Sequence, residues 1–446
     1  MDKGFVIGGT NSGCGKTTIS LAMMACFKRK GFSVSPFKVG PDFIDPGHHS
    51  IITDSNSYNL DGWMMDKSYN QNLFDGKRSD LSIVEGVMGL YDGYDGTTEN
   101  GSTAQIAKWI NLPVVLVVNA KSMARSAAAV VSGFEKFDPD LGFAGVIFNN
   151  IGSPNHLNYL RDALKGHVEM PCLGGIPRNL DVEIPERHLG LVTSDEHFLN
   201  EKNMNTLADM IEDNIDLEML LSPVKITKRV EKQKNENTVT IAVARDKAFC
   251  FYYHDNIEIL ESMGAEIKYF SPIADKKLPE GIDGIYFGGG YPELFGKELQ
   301  SNKEMREEVK KYSDAGLPIY GECGGFMYLC SDLIDHGEGE FEMTGCFPFK
   351  TKMLNKRKAL GYREITISGD TVLGQDVKAR GHEFHYSELE NDQEYSDFVY
   401  KVTPRNGLNL KEEGYVVNKT LGSYIHLHFG SNMDVAENFV KSCKEK

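Results

Sequence analysis

Three short stretches carry residue types that, once brought together, can carry out acyl transfer. Cys323 lies in Gly321-Glu322-Cys323-Gly324-Gly325, after the apolar run Leu317-Pro318-Ile319-Tyr320 and before Phe326-Met327-Tyr328-Leu329. This reads as strand, sharp turn, helix. Glycines permit a strained elbow, and a helix N-terminus behind the sulfur favours a thiolate, which is how a fold presents a nucleophile. Gly288-Gly289-Gly290 follows the strand-like Gly284-Ile285-Tyr286-Phe287, so that Gly289 and Gly290 can turn backbone N–H groups toward a developing oxyanion. Far along the chain, Gly422-Ser423-Tyr424-Ile425-His426 reads as a strand that delivers a histidine as base.

A different chemistry is written near the N-terminus. Phe5-Val6-Ile7 reads as a strand and Ile19 to Phe27 as a helix, and between them lies a phosphate-binding loop with ATP as the expected ligand. It comprises Gly9, Thr10, Asn11, Ser12, Gly13, Cys14, Gly15, Lys16, Thr17 and Thr18. Glycines let backbone N–H groups wrap phosphates, Lys16 reaches the terminal ones and Thr17 can ligate Mg2+. Five residues rather than four separate Gly9 from Gly15. This longer loop resembles that of dethiobiotin synthetase, a ligase in which ATP activates a carboxylate.

The elements that must hold this loop alternate. Val34 to Val39, Leu81 to Glu85, Pro113 to Val118 and Phe143 to Phe148 read as strands, with helix-length segments such as Thr103 to Ile110 and Ser122 to Phe134 between them. Near-continuous apolar strands joined by helices predict a parallel sheet covered on both faces, with ligands at the strands' carboxyl ends. Those ends are polar. Glu85 closes an apolar strand next to the loop, where Mg2+ needs a second protein ligand, with Asp45 as a further metal candidate. Asp42, Asp45 and Asp92 lie in Gly- and Pro-rich loops, where such acids equally well cap turns.

With 446 residues the chain exceeds one ordinary core, and two domains are expected. We read 1–222 as the ATP-dependent carboxylate-activating domain, 223–237 as a mixed-charge linker and 238–446 as a second α/β domain opening on the strand Thr238 to Val243. A net charge of −16 argues against nucleic acid as a general partner, and no apolar run is long enough for a membrane span. The chain enters its first strand without a signal peptide, and its eight cysteines form no C-x-x-C pair, so a reduced, cytoplasmic protein is expected. His382, His385, His426 and His428 invite a metal reading. On a strand, however, residues three apart diverge, and structural hydrogen bonds are the plainer expectation for His382 and His385.

The Cys323, Gly288 to Gly290 and His426 motifs resemble class I, triad-type glutamine amidotransferases, whose cysteine attacks the side-chain amide of glutamine and releases ammonia. Those enzymes place a glutamate two residues after the histidine, where this chain has His428, so the partner that orients His426 stays open. A narrower resemblance covers nearly the whole chain. Lys38 to Pro46, Asn59-Leu60-Asp61, Val84 to Gly93, Pro185 to Leu191, Val243 to Asp246 with Phe251 to Tyr253, and Gly381 to Ser387 all look like the cobyrinic acid a,c-diamide synthase family. The resemblance implies an N-terminal P-loop parallel sheet with helices on both faces and a C-terminal class I amidotransferase-like α/β domain. It further implies Mg2+, ATP and L-glutamine, and a corrin polycarboxylate amidated at its a and c acetates. Lys38, Asp42, Asp45, Asp92, Arg187 and Arg245 are then substrate-binding candidates, the cations by charge as well as resemblance. Three readings follow: this amidation; the same chemistry on a related tetrapyrrole, such as nickel sirohydrochlorin, or on other corrin side chains; or a non-catalytic P-loop switch, which gives Cys323 nothing to do. A homodimer is compatible with each.

Overall fold

The computed structural model describes residues 3–178, 199–220, 238–337, 339–390, 397–403 and 411–445, apart from the side chain of Lys411. The chain forms two compact units, Met1–Glu231 and Lys232–Lys446. Arg187, its motif Pro185 to Leu191 and the expected linker lie outside the described residues.

The first unit is built on seven strands: β1 (Lys3–Gly9), β2 (Val34–Val39), β3 (Tyr58–Leu60), β4 (Leu81–Glu85), β5 (Val114–Asn119), β6 (Phe143–Ile151) and β7 (Cys172–Pro177). They pair in the order β3-β2-β4-β1-β5-β6-β7, all parallel. Alternating side chains go to opposite faces. Phe5 and Ile7 join one fully buried cluster with Ile83 and Val115, whereas Val6 joins another with Val84 and Leu116. Both faces therefore need helices. The first cluster is covered by α1 (Lys16–Arg29) and by Glu201–Asn214, and the second by Lys67–Lys77, Thr103–Ile110, Ser126–Phe137 and Pro154–Leu164. Side-chain caps start several of these: Ser102 Oγ accepts from Gln105 N–H at 3.1 Å, and Ser153 Oγ from His156 N–H at 3.1 Å with Pro154 following.

In the second unit five strands run parallel in the order Ala265–Phe270, Val239–Ala244, Gly284–Phe287, Ile319–Glu322 and Thr420–Ser423, with Tyr415–Val417 antiparallel at the edge. A separate five-stranded antiparallel sheet contains Ala359–Ile367, Lys378–His385 and Ile425–Leu427. The expected single strand around His426 is thus two strands in two sheets. The change of sheet is fixed by the buried Glu413 carboxylate, which accepts from Ser423 Oγ at 2.6 Å and from Tyr424 N–H at 2.7 Å. Among the described residues no helix is long and apolar enough to cross a membrane.

Candidate active sites

Cys323 stands between Ile319–Glu322 and the six-residue helix Gly324–Leu329. Its backbone is at φ 48°, ψ −107°, a conformation L side chains avoid, and it is tied down by its N–H donating to Ser423 O at 2.7 Å. A residue held in such strain has its side chain lifted out of the turn. The flanking pieces interleave so closely that only glycine fits. A Cβ on Gly289 would lie 2.4 Å from His426 Cε1, and one on Gly324 would lie 2.9 Å from Gly290 N. The Cys323 elbow, the Gly289–Gly290 backbone and the His426 ring, well separated in sequence, therefore meet at one place.

The expectation of a thiolate is corrected by the surroundings. Burial, with Glu293 next in weight, pushes the Cys323 thiol far above its ordinary range, and a helix of six residues offers too small a dipole to reverse that. Burial likewise pulls His426 down to about 3, with His385 adding to the effect. Both groups rest neutral, Cys323 as a thiol whose Sγ lies 3.9 Å from Phe384 O and His426 as an imidazole. His382 lies against His426, rings 4.9 Å apart and nearly parallel, and its Nδ1 meets Tyr253 Oη at 2.8 Å. His385 turns instead to Tyr424, ring to ring at 4.0 Å, and to Glu383 Oε1 at 2.9 Å.

In the first unit the loop from Gly9 to Gly15 leads into α1, with Gly15 at φ 104°. Lys16 Nζ donates to Asn11 O at 3.1 Å inside the loop, and burial lowers its pKa. Asn149 Nδ2 braces the loop from β6 by donating to Cys14 O at 2.9 Å. Thr17 Oγ1 donates to Glu85 Oε1 at 2.6 Å, so two of the three expected Mg2+ ligands adjoin at the mouth of the loop. Two hard oxygen donors, a hydroxyl and a carboxylate, suit Mg2+.

Behind them lies a buried charge cluster. Lys38 Nζ is 2.6 Å from Asp45 Oδ2 and 2.9 Å from Glu85 Oε1, and Glu85 Oε2 is 2.8 Å from His49 Nε2. Burial alone would strip the proton from Lys38; Asp45, Glu85 and Asp42 outweigh it and hold the ammonium charged. Asp42 is pushed up to about 6 by burial and by Asp45, and its Oδ1 accepts from Ile44 N–H at 2.8 Å.

Two family models match the chain: the CobQ/CobB/MinD/ParA nucleotide binding domain over residues 5–192 and the CobB/CobQ-like glutamine amidotransferase domain over 240–433. Cobyrinate a,c-diamide synthases from Leptospira interrogans (strain Fiocruz L1-130), Priestia megaterium and Methanosarcina barkeri are 42%, 40% and 39% identical to it. These alignments cover 99%, 98% and 98% of this chain and 98%, 96% and 95% of the respective relatives. The chain belongs to the cobyrinate a,c-diamide synthase family. It is accordingly a glutamine-dependent amidating ligase, with a nucleotide-binding P-loop unit and an amidotransferase unit.

Within this synthase family frame the remaining sequence candidates fall into place unevenly. Asp92 is exposed and its Oδ2 accepts from Gly89 N–H at 2.9 Å, so the turn-capping role is realised there, as it is for Asp42. Lys38 spends its charge on carboxylates of the protein itself. Arg245 is exposed, in the second unit, 5.0 Å over the Tyr269 ring. Sequence reasoning missed His49, whose Nδ1 meets Ser57 Oγ at 3.0 Å, because neither residue falls in a recognisable motif. It also passed over Glu322, although that residue sits beside Cys323.

Proposed function

We propose that the protein converts the a and c acetate carboxylates of cobyrinic acid to amides, each at the cost of one ATP and one glutamine. The observation that carries this reading is the presence, in one chain alignable end to end with synthases of that name, of both a phosphate loop with its acidic partner and a strained cysteine elbow with its base.

A carboxylate does not react with ammonia at neutral pH, because oxide cannot leave. In the first unit the substrate carboxylate attacks the γ-phosphorus of ATP, giving an acyl phosphate and ADP. The loop amides from Gly9 to Thr18 and the Lys16 ammonium hold the phosphates during this transfer. Thr17 and Glu85 would hold Mg2+, with Asp45 behind them, and the ion supplies positive charge to the phosphate oxygens. Lys38 pairs with Asp45 and Glu85 and holds them in place, while Asp42, Asp92, Arg187 and Arg245 are the other residues we propose to meet the corrin. In the second unit Cys323 Sγ attacks the glutamine side-chain carbonyl while His426 takes the thiol proton and passes it to the leaving ammonia. Gly289 and Gly290 N–H groups hold the oxyanion, and water then releases glutamate from the thioester. Ammonia displaces phosphate from the acyl phosphate. The cytoplasm, which holds both co-substrates, is where we expect this to occur.

The test offers purified protein with Mg2+, ATP and glutamine either cobyrinic acid or nickel sirohydrochlorin and weighs the products. A diamide from cobyrinic acid alone is expected. Amidation of nickel sirohydrochlorin in its place would move the assignment to that tetrapyrrole, and ATP hydrolysis without any amide would sink it.

A further inference from the structure

We infer that Glu322, the residue immediately before the nucleophile, is the carboxylate that orients His426. The inference rests on reading the second unit as the glutamine-hydrolysing half. The position two residues after the base, His428, is committed elsewhere: its Nδ1 accepts from Gly430 N–H at 3.1 Å, which leaves the proton on Nε2, 3.1 Å from Asp255 Oδ2. The carboxylate instead comes across from the elbow strand.

A carboxylate offers about four acceptor positions. In Glu322, Oε1 accepts from Tyr320 Oη at 2.7 Å and from Leu427 N–H at 2.9 Å, and Oε2 accepts from Tyr286 Oη at 2.9 Å. The position left over is on Oε2, and Oε2 is the oxygen that lies 3.9 Å from His426 Nδ1. That gap is too long for a hydrogen bond, but catalytic hydrogen bonds are often long before substrate arrives, and a movement of about 1 Å closes this one. Leu427 N–H belongs to the peptide that follows His426, so the same carboxylate also grips the strand carrying the base. On its other face His426 is braced by His382.

The rival acid near His426 is already bound: Glu383 takes Arg363 Nε at 2.7 Å and His385 Nε2 at 2.9 Å. Facing Glu322 are the phenols Tyr286, Tyr320, Tyr252 and Tyr400, the Cys323 thiol, His426 and His428. Burial raises the Glu322 carboxyl to about 7, against the opposing pull of these hydrogen bonds. An acid with its pKa raised ionises only as pH climbs through that value. Glutamine use should therefore fall as pH drops below about 7, while His426 does not titrate there.

The experiment compares glutaminase kinetics against pH for wild type, Glu322→Gln and Tyr286→Phe, alongside amidation supported by ammonia. Glu322→Gln is expected to lower kcat with glutamine by about a hundredfold or more, with KM within about threefold, to erase the acid limb near pH 7 and to leave the ammonia reaction intact. Tyr286→Phe removes one donor that stabilises the ionised carboxylate, so the limb should move upward by about half a pH unit. Should Glu322→Gln not fold, Tyr286→Phe decides, and an unmoved limb overturns the inference. A Glu322→Gln protein within threefold of wild type that keeps the limb overturns it too. Wild type that uses ammonia but never glutamine overturns the underlying reading instead.

Discussion

Glu85 and Glu322 occupy equivalent places in the two units. Each ends a strand of a central sheet, each is at most 2% exposed, and each faces the loop where chemistry is expected. Their company differs. Glu85 is paired with the Lys38 ammonium, joined by His49 and Thr17. Among the described residues Glu322 has two phenols and a peptide N–H as donors, with the His426 ring at 3.9 Å. A buried carboxylate needs compensation. A cation supplies it permanently, as metal and phosphate binding require. Neutral donors supply it only in part, which leaves the Glu322 carboxyl raised to about 7.

The contrast can be broken at either end. Cys323→Ser removes the nucleophile of the uncharged site only. Glutamine-supported amidation should fall by a factor of about a thousand or more, with ammonia-supported amidation unchanged. Loss of both would mean that the two sites do not work separately. Lys38→Met removes the cation from the charged site and leaves Asp45 and Glu85 buried without it. Chemical denaturation should show a loss of about 3–5 kcal/mol, since stranding one side of a buried pair is costly. A loss below about 1 kcal/mol would show that water or protonation already compensates those acids.

Smaller effects sharpen the comparison. His49→Asn withdraws the group that fixes Glu85 Oε2, and supporting partners of this kind change metal affinity by about 10–100-fold. Calorimetric titration of Mg2+ into the protein with a non-hydrolysable ATP analogue should show that weakening, with glutaminase kinetics unaltered; equal affinity would reduce His49 to packing. Ser57→Ala frees only the far nitrogen of His49, and a shift of about two- to fivefold in the same titration is expected.

How much of this was legible depended on how local each feature is. The phosphate loop is one continuous stretch whose glycines and Lys16 act on backbone they themselves shape, so sequence sufficed. Glu85 was legible because a lone acid closed an apolar strand. Thr103–Ile110 has the bounds expected, set by the Ser102 cap and by Asn111 at φ 54°. The strand through Tyr424 misled, because Gly-Ser-Tyr-Ile-His has uniform strand character and the break is imposed by Glu413 from another strand. His49 escaped notice because its value comes from α2 (Ile44–Thr53) folding back over the end of β4. Glu322 was in plain sight, yet only Tyr320 neighbours it on its own strand; Tyr286 comes from the adjacent strand and Leu427 N–H from a peptide about a hundred residues away, which no spacing rule connects.

The central claim is that one unit phosphorylates an acid so that ammonia freed by the other can replace oxygen. Cobyrinic acid carrying oxygen-18 in its a and c carboxylates, turned over with ATP, Mg2+ and glutamine, tests it directly through the phosphate released. The account predicts one labelled oxygen in inorganic phosphate for every amide formed, because the bridging oxygen of each acyl phosphate leaves with phosphorus. Amide formation accompanied by unlabelled phosphate would contradict it.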